Sequence, residues 1–106
     1  MKRYQGIFTL EALADAQAAA AYIAAAAPWN AQRWYDKLLK ATQTLAVFPN
    51  RCPKAPEATT LNDPRLRQLI FGNYRIIFLV EDDIVHIIHV RHGARRPAGQ
   101  ELEDPA

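Results

Sequence analysis

Four arginines and one histidine in the last third of the sequence have the side chains best suited to chemistry. They lie near the ends of the most apolar segments of the chain: Arg75, Arg91, His92, Arg95 and Arg96. Guanidinium groups bind phosphate or carboxylate through paired hydrogen bonds and stay charged at any working pH. A histidine beside them could act as general acid or base on RNA, while the arginines stabilise the phosphorane. The alternative is that these charges only protect a sheet edge and solubilise the end of a strand.

The three histidines do not have the spacing of a metal site. On a strand, His89 points away from His86 and His92, and those two lie about 20 Å apart at ~3.3 Å per residue. The sequence also lacks zinc-ligand spacing, a Walker loop, a glycine-rich dinucleotide motif and a G-x-S-x-G elbow. We therefore expect no metal and no nucleotide cofactor.

The length and composition limit the class of protein. The 106 residues suffice for one domain with a modest core. Cys52 is the single cysteine, so an internal disulfide is excluded and a reducing compartment is favoured. No apolar run follows the first residues, and the alanine-rich stretch 12–27 is too short and too polar to span a membrane. We expect a cytoplasmic protein that does not associate with membranes.

The charge is unevenly distributed along the chain. All thirteen basic residues and eight of the eleven acidic ones lie within residues 1–100, so this part carries a net charge of +5. The remaining acids are Glu101, Glu103 and Asp104. A mildly basic body favours an acidic partner, either a nucleic acid or an acidic protein segment.

Residues 66–92 predict three short strands, which would position the arginines and histidines. The apolar runs are separated by turns at Gly72-Asn73 and Asp82-Asp83. If Asp82-Asp83 is a two-residue turn, Glu81 faces Ile84, and side chains alternate between faces from there. One face then carries Tyr74, Ile76, Phe78, Val80, Val85, Ile87, His89 and Arg91. The other carries Arg75, Ile77, Leu79, His86, Ile88, Val90 and His92.

The first half of the chain predicts a strand at residues 3–9 followed by two helices. Thr9 is a plausible N-cap for a helix from Leu10 to Ala27. Its small apolar side consists of Leu10, Leu13, Ala20, Ala24 and Ala27. The second helix is expected from Trp29 or Asn30 to Phe48. Its apolar stripe consists of Ala31, Trp34, Leu38, Ala41, Leu45 and Phe48. Residues 49–64 contain four of the seven prolines and predict a loop with solvated charges.

This order of elements predicts one α+β domain over residues 1–106, with a polar tail at 97–106. Two helices would cover one face of a mainly antiparallel sheet. The opposite face would then expose Ile77, Leu79, Ile88 and Val90. Because an exposed apolar patch of this size marks a binding site, the pattern predicts a partner protein or the floor of a cleft.

Two short motifs within this pattern carry a resemblance to a known family. Gly72-Asn73-Tyr74-Arg75 is followed by Val90-Arg91-His92-Gly93-Ala94-Arg95, after a strand and a long helical hairpin. The ordered combination covers nearly the whole chain and resembles the RelE/ParE toxins of bacterial type II toxin–antitoxin modules. The resemblance implies a β-α-α-β-β-β fold. It also implies a tight hetero-oligomer with a cognate antitoxin, whose flexible segment wraps the toxin.

The resemblance implies two alternative targets. RelE-like members cleave mRNA on the ribosome, whereas ParE-like members poison DNA gyrase. Arg75 matches an arginine of the RelE-like nucleases, Arg91 matches a second one, and His92 is the candidate general base. Those nucleases typically carry lysines on the second strand, where this sequence has Arg65 and Arg67.

RelE-like nucleases typically also carry a tyrosine or histidine on the tail, and no tyrosine follows Tyr74 in this sequence. The long hairpin and the His-Gly-Ala-Arg ending are similar to the ParE, plasmid-stabilisation branch. We therefore expect a growth-inhibiting gyrase binder, with mRNA cleavage as the alternative. The residues expected to contact the target or the antitoxin are Arg65, Arg67, Arg75, Ile77, Leu79, Ile88, Val90, Arg95 and Arg96.

Overall fold

A computed structural model describes residues 2–93 of the chain. The helices are α1 (Leu10–Ala26), α2 (Pro28–Gln43) and the short α3 (Glu57–Thr60), with 3-10 turns at Thr44–Ala46 and Pro49–Arg51. The strands are β1 (Gln5–Phe8), β2 (Arg67–Phe71), β3 (Tyr74–Glu81) and β4 (Ile84–His92). They form one sheet in the order β1-β4-β3-β2, in which only the β1–β4 pair is parallel. The predicted β-α-α-β-β-β order and mainly antiparallel sheet are confirmed.

Helix α1 begins at the predicted cap but buries a different side from the one predicted. The Thr9 hydroxyl accepts a hydrogen bond from the Ala12 N–H at 3.1 Å. The buried side consists of Ala12, Ala16 and Ala19, whereas Leu10 is 82% exposed. The predicted side is therefore wrong at Leu10, while the other predicted residues flank the buried stripe and are half-buried: Leu13, Ala20, Ala24 and Ala27. An alanine-rich helix has almost no contrast between its faces, so its periodicity gives little information about which face is buried.

Helix α2 ends five residues earlier than predicted. Its last residue is Gln43, and Phe48 adopts a left-handed backbone conformation with φ 49°. The Arg51 guanidinium holds this segment in place, because its Nη1 donates to the Val47 and Phe48 carbonyls at 2.9 and 3.1 Å. Phe48 is 65% exposed, so its predicted place in the core is wrong, while Leu45 is buried as predicted.

The main core lies between the two long helices and the sheet. Its large buried side chains come from α2, the following turn and the two central strands: Leu38, Leu45, Tyr74, Ile76, Phe78, Val85, Ile87 and Val90. The small side chains of α1 let that helix lie close to the sheet. The Asp15 carboxylate of α1 accepts the Val90 N–H at 3.0 Å and lies 3.1 Å from His89 Nδ1. These contacts connect α1 directly to β4.

A β-bulge changes the faces that the second half of β4 presents. Glu81 pairs with Ile84 as predicted, and the register continues to Phe78 and Ile87. An irregularity between Ile77 and Phe78 then shifts the pairing by one residue. The predicted faces are therefore wrong for Val90, Arg91 and His92, because an extra residue in one strand reverses the alternation beyond it. His89 still contacts Asp15 on the helix side of the sheet, as predicted. Both faces of the strand are apolar, so the hydrophobic pattern does not reveal the bulge.

The shift has three consequences for residues singled out above. Val90 pairs with Ile76 and joins the helix-side core. His92 pairs with Tyr74 instead of lying on the face of Arg75. Arg91 lies directly opposite Arg75, the residue from which it was expected to be separated.

The second face of the sheet is covered by the segment predicted to be a solvated loop. Ala55 and Leu66 form a second buried cluster with Ile77, and Leu79 and Ile88 pack against it half-buried. Backbone hydrogen bonds from Ala55 to Leu66 and from Gln68 to Pro53 hold the segment on β2. The expected exposed apolar face is therefore wrong for Ile77, which is fully buried, and for Val90. No helix among residues 2–93 is long and apolar enough to cross a membrane.

Candidate functional site

A buried ion pair lies at the centre of the predicted arginine cluster. Arg75 on β3 donates from Nη1 to Glu57 Oε1 at 3.0 Å and from Nη2 to Glu57 Oε2 at 2.9 Å. Nη1 also donates to Gln68 Oε1 at 3.0 Å. Glu57 is 0% exposed and Arg75 is 8% exposed. The planar guanidinium is thus bound through two parallel bonds, which is the strongest geometry for such a pair.

This pair fixes α3 to the sheet. Glu57 is the first residue of α3, where a negative charge also complements the helix dipole. Eighteen residues separate it from Arg75. Removing one partner of a buried pair leaves an uncompensated charge and costs about 3–5 kcal/mol. The pair therefore specifies where the 49–64 segment lies.

Arg91 and Arg75 lie side by side on neighbouring strands. They are directly paired in the β3–β4 ladder, and Arg91 is half-buried. Two like charges opposite each other destabilise a sheet. The Glu57 carboxylate on Arg75 offsets part of this repulsion, which explains how the sheet accommodates two arginines at this position.

His92 lies at the end of β4 against an aromatic cluster. Its ring meets the Tyr74 ring edge-on at 5.2 Å. Trp34 of α2 lies 5.1 Å from Tyr74 and 6.0 Å from Phe71 between ring centroids. Such tilted pairs stabilise beyond their buried area. Trp34 is half-buried and packs against the main core, in agreement with its predicted place on the apolar stripe of α2.

Two pockets meet at His92. The larger one, about 470 Å³, is mostly apolar and lies between the helical hairpin and the β2–β3 turn; its walls include Tyr22, Trp34, Phe71 and Lys37. The smaller one, about 300 Å³, lies beside Ile70, Asn73 and Arg75. His92 is therefore open to two concave surfaces that could receive part of a partner molecule.

Arg65 and Arg67 lie at the start of β2 and have separate partners. Arg65 precedes β2 and does not lie within it, contrary to expectation; its Nη2 lies 3.0 Å from Asp63 Oδ2. The hydrogen bond from Arg65 holds the pKa of the Asp63 carboxyl below its usual range. Arg67 begins β2 and donates from Nη1 to the Cys52 carbonyl at 2.6 Å. Burial raises the pKa of the Cys52 thiol more than Arg51 and Arg67 lower it, which disfavours the nucleophilic thiolate.

The structure thus brings together Arg75, Arg91 and His92 from the predicted set. It places Leu79 and Ile88 beneath the 49–64 segment and Val90 in the core. Arg95 and Arg96 lie outside the described residues, as does the polar tail at 97–106. Within residues 2–93 no group of three or more histidine, cysteine, aspartate or glutamate side chains could hold a metal ion.

Glu57 and Gln68 are the site residues that the sequence argument missed. Glu57 was treated as one of several solvated charges in a proline-rich loop. A signal was present, since an arginine in an apolar strand requires a buried acceptor. Glu57 is flanked by small apolar residues, Ala55 and Ala58, which can pack on a sheet. The two observations together would have suggested the pair.

Comparisons with known proteins agree on one family. Residues 7–97 match the family described as ParE toxin of type II toxin–antitoxin system, parDE. The chain is 37% identical over 92 residues to Toxin RelE2 of Caulobacter vibrioides, covering 86% of this chain and 97% of that protein. A solved structure, the chromosomal ParDE TA system from P. aeruginosa, superposes with a TM-score of 0.71 at 17% identity. It covers 85% of this chain and 96% of its own.

The chain therefore belongs to the ParE toxin family, within the RelE/ParE superfamily. It is a toxin of a type II toxin–antitoxin system. The family match supports an antitoxin as its partner protein. The solved structure independently supports the fold.

Proposed function

We propose that this toxin arrests growth by binding and poisoning DNA gyrase, and not by cleaving RNA. The observation that carries the proposal is the two-bond contact between Arg75 and Glu57 at 2.9 and 3.0 Å. The family match over residues 7–97 to ParE toxins is the second support.

The ion pair argues against the nuclease chemistry for a physical reason. An arginine that stabilises a phosphorane must present its guanidinium to the phosphate. Here a buried carboxylate already occupies both terminal nitrogens of Arg75, and it would repel an incoming phosphodiester. Releasing the guanidinium would leave a charge on Glu57 in a site with no solvent exposure. The arrangement supports a structural role for Arg75.

A second candidate function is metal-independent mRNA cleavage on the ribosome. The name of the relative from Caulobacter vibrioides, Toxin RelE2, is the observation that favours it. Under this alternative Arg75, Arg91 and His92 would be catalytic.

The direct test is a gyrase assay with the purified toxin. We expect inhibition of DNA supercoiling and accumulation of gyrase-cleaved DNA, both reversed when purified antitoxin is added. Gyrase without toxin, and toxin with topoisomerase I, are the controls. A toxin that arrests growth but leaves gyrase unaffected at every concentration contradicts the proposal and directs attention to the ribosome.

A variant of His92 separates the two candidates in cells. We expect His92→Gln to retain growth arrest on induced expression, because a gyrase binder needs no general base. The matched control is His86→Gln, at the opposite end of β4. Loss of toxicity in the folded His92→Gln protein, with the control still toxic, supports the nuclease instead.

A further inference from the structure

Four basic side chains on the surface have no partner within the described part of the chain. They are exposed and form neither an ion pair nor a side-chain hydrogen bond: Arg3, Arg33, Lys37 and Lys40. Other basic residues are already engaged. Carboxylates bind Lys2, Arg65 and Arg75, and backbone carbonyls accept hydrogen bonds from Arg51, Lys54 and Arg67.

Three of the four unpartnered cations lie in a row along the outer side of α2. Arg33, Lys37 and Lys40 follow one another at spacings of four and three residues, which places them on one side of a helix. The buried residues Ala31 and Leu38 lie on the opposite side. At ~1.5 Å of rise per residue, the row is about 10 Å long. The three charges are thus spread along the helix and do not converge on one point.

Arg3 extends this row at the end of α2. It lines the same pocket as Thr42 and Gln43, which belong to the last turn of that helix. The strand before α1 therefore adds a fourth charge to the surface that α2 presents. The basic α2 face consists of Arg3, Arg33, Lys37 and Lys40.

The acidic residue of α2 does not neutralise this face. Asp36 lies three residues after Arg33 and four before Lys40, at spacings that allow an ion pair on a helix. Its carboxylate instead accepts a hydrogen bond from Gln32 Nε2 at 3.2 Å, and within residues 2–93 it pairs with neither cation. The helix dipole attracts Lys40 in the last turn but does not account for Arg33 or Lys37. The positive charge of the face therefore remains available to an external anion.

The spacing of these charges determines which anion fits. A small anion is bound where several donors converge, whereas the basic α2 face is a line. In duplex DNA the phosphates of one strand recur every ~3.4 Å along the axis, so the row on α2 spans roughly three of them. Exposed lysines and arginines bind such phosphates without reading the base sequence.

We propose that the basic α2 face binds the phosphate backbone of duplex DNA. The charge of residues 1–100 left a nucleic acid and an acidic protein segment as alternative partners, and the linear spacing favours the nucleic acid. The biological role of the contact rests on the proposed function: the toxin holds the DNA on which gyrase acts while it binds the enzyme. Because phosphates carry no sequence information, the affinity depends on salt and not on base sequence.

Fluorescence anisotropy with a labelled DNA duplex tests the contact on the full-length toxin alone. Three neutralised phosphates predict a slope of about −3 for the logarithm of the binding constant against the logarithm of the salt concentration. Two duplexes of unrelated sequence should give Kd values within about twofold of each other. Absence of binding at low salt, or a slope near zero, overturns the proposal.

A double variant tests whether the charges on α2 are responsible. For Lys37→Gln/Lys40→Gln we expect the Kd for DNA to rise at least about tenfold and the salt slope to become shallower by about 2. Lys2→Gln/Lys54→Gln is the matched control, because it removes the same two charges from other parts of the chain. Its Kd should stay within about threefold of the parent value. Equal losses in the two folded variants would mean that net charge alone attracts DNA, and would overturn the proposal.

Two competitors identify the polyanion. Unlabelled duplex DNA should displace the labelled duplex, and poly-glutamate at the same concentration of charge should be at least about tenfold less effective. Equal displacement by poly-glutamate assigns the face to any acidic partner and overturns the proposal. Tighter binding of a duplex RNA of the same length assigns it to RNA and also overturns it.

The gyrase reaction tests the role of the contact separately. The Lys37→Gln/Lys40→Gln toxin should bind gyrase without DNA as the parent does, but should need at least about tenfold more protein to trap the same amount of cleaved DNA. Trapping equal to that of the parent overturns the proposal. The anisotropy assay contains no gyrase, so a parent toxin that binds DNA but leaves gyrase unaffected supports the DNA contact and contradicts only the gyrase proposal.

Discussion

Glu57 illustrates how one buried side chain determines the interpretation of its neighbours. Its carboxylate is fully buried and bound by Arg75, while Gln68 completes the coordination of the guanidinium. An arginine that looked available for phosphate is therefore part of the structure. At the residue scale, the decisive property is the competition between an internal carboxylate and an external anion for the same donors.

A double-variant cycle tests the structural role of this pair. Glu57→Leu and Arg75→Met should each lower the free energy of unfolding by about 3–5 kcal/mol, because each leaves one buried charge uncompensated. The double variant removes both charges, so its loss of unfolding free energy should be clearly smaller than the sum of the losses in the two single variants. Urea unfolding followed by circular dichroism gives the three values. Strictly additive losses contradict a coupled buried pair.

The Asp63–Arg65 pair gives a pH-dependent prediction. Its carboxyl pKa is lowered mainly by the hydrogen bond from Arg65. A lowered pKa in the folded state stabilises the fold above the unfolded pKa, and this contribution is lost as the pH falls through the folded value. We expect Arg65→Gln to raise the Asp63 pKa, measured by NMR titration of the side-chain carboxyl. Arg67→Gln is the control, since Arg67 binds a backbone carbonyl. Equal titration curves for Asp63 in the parent and in Arg65→Gln would contradict the assignment.

At the scale of elements, local signals were sufficient where the chain makes its own turn or cap. Gly72 and Asp82 both adopt φ 57°, in the two turns that the sequence marked. Thr9 caps α1 as its position suggested. The outcome was different where an element depends on a distant residue. The end of α2 is held by Arg51, and the bulge in β4 has no local signature in a strand that is apolar on both faces.

The candidate site shows the same limit. Arg75, Arg91 and His92 lie at one end of two adjacent strands, as the predicted hairpin implies, but the bulge reverses the faces predicted for Arg91 and His92. The Glu57 partner of Arg75 was not predicted. Its burial depends on how a proline-containing segment packs on the sheet, and Arg75 lies eighteen residues further along the chain. Hydrophobic periodicity and secondary-structure propensity describe single helices and strands and do not predict the contacts between them.

The left-handed Phe48 makes the end of α2 testable. A non-glycine residue in this conformation costs roughly 1–2 kcal/mol, and Phe48 is 65% exposed, so little burial would be lost on replacing it. Phe48→Gly should therefore unfold at higher urea concentration than Phe48→Ala, which keeps the strain. If the two variants have equal midpoints, the backbone at this position is not left-handed in solution.

At the scale of the whole molecule, the buried pair offers a test of mechanism that preserves the fold. The Glu57→Leu/Arg75→Met double variant lacks the guanidinium that a nuclease would need. If the toxin acts on gyrase, we expect the double variant to keep growth arrest and supercoiling inhibition within about tenfold. Western blotting controls for expression. Two results together would indicate the RelE-like mechanism: the folded double variant is not toxic, and mRNA is cleaved in cells that express the parent protein but not in cells that express the variant.

The parallel pairing of β1 with β4 determines how early during translation the sheet of this toxin can form. β1 starts the described chain, and its partner residues in β4 follow 79 positions later, as in the contact between Thr9 and Ile88. β4 lies between β1 and β3 in the sheet, so the sheet is incomplete until β4 has been translated. At ~5–20 residues per second, about 4–16 s separate the translation of the two strands. During those seconds the growing polypeptide contains its first strand without the strand that pairs with it, so the end of the sheet that carries Arg75, Arg91 and His92 forms only after β4 is translated.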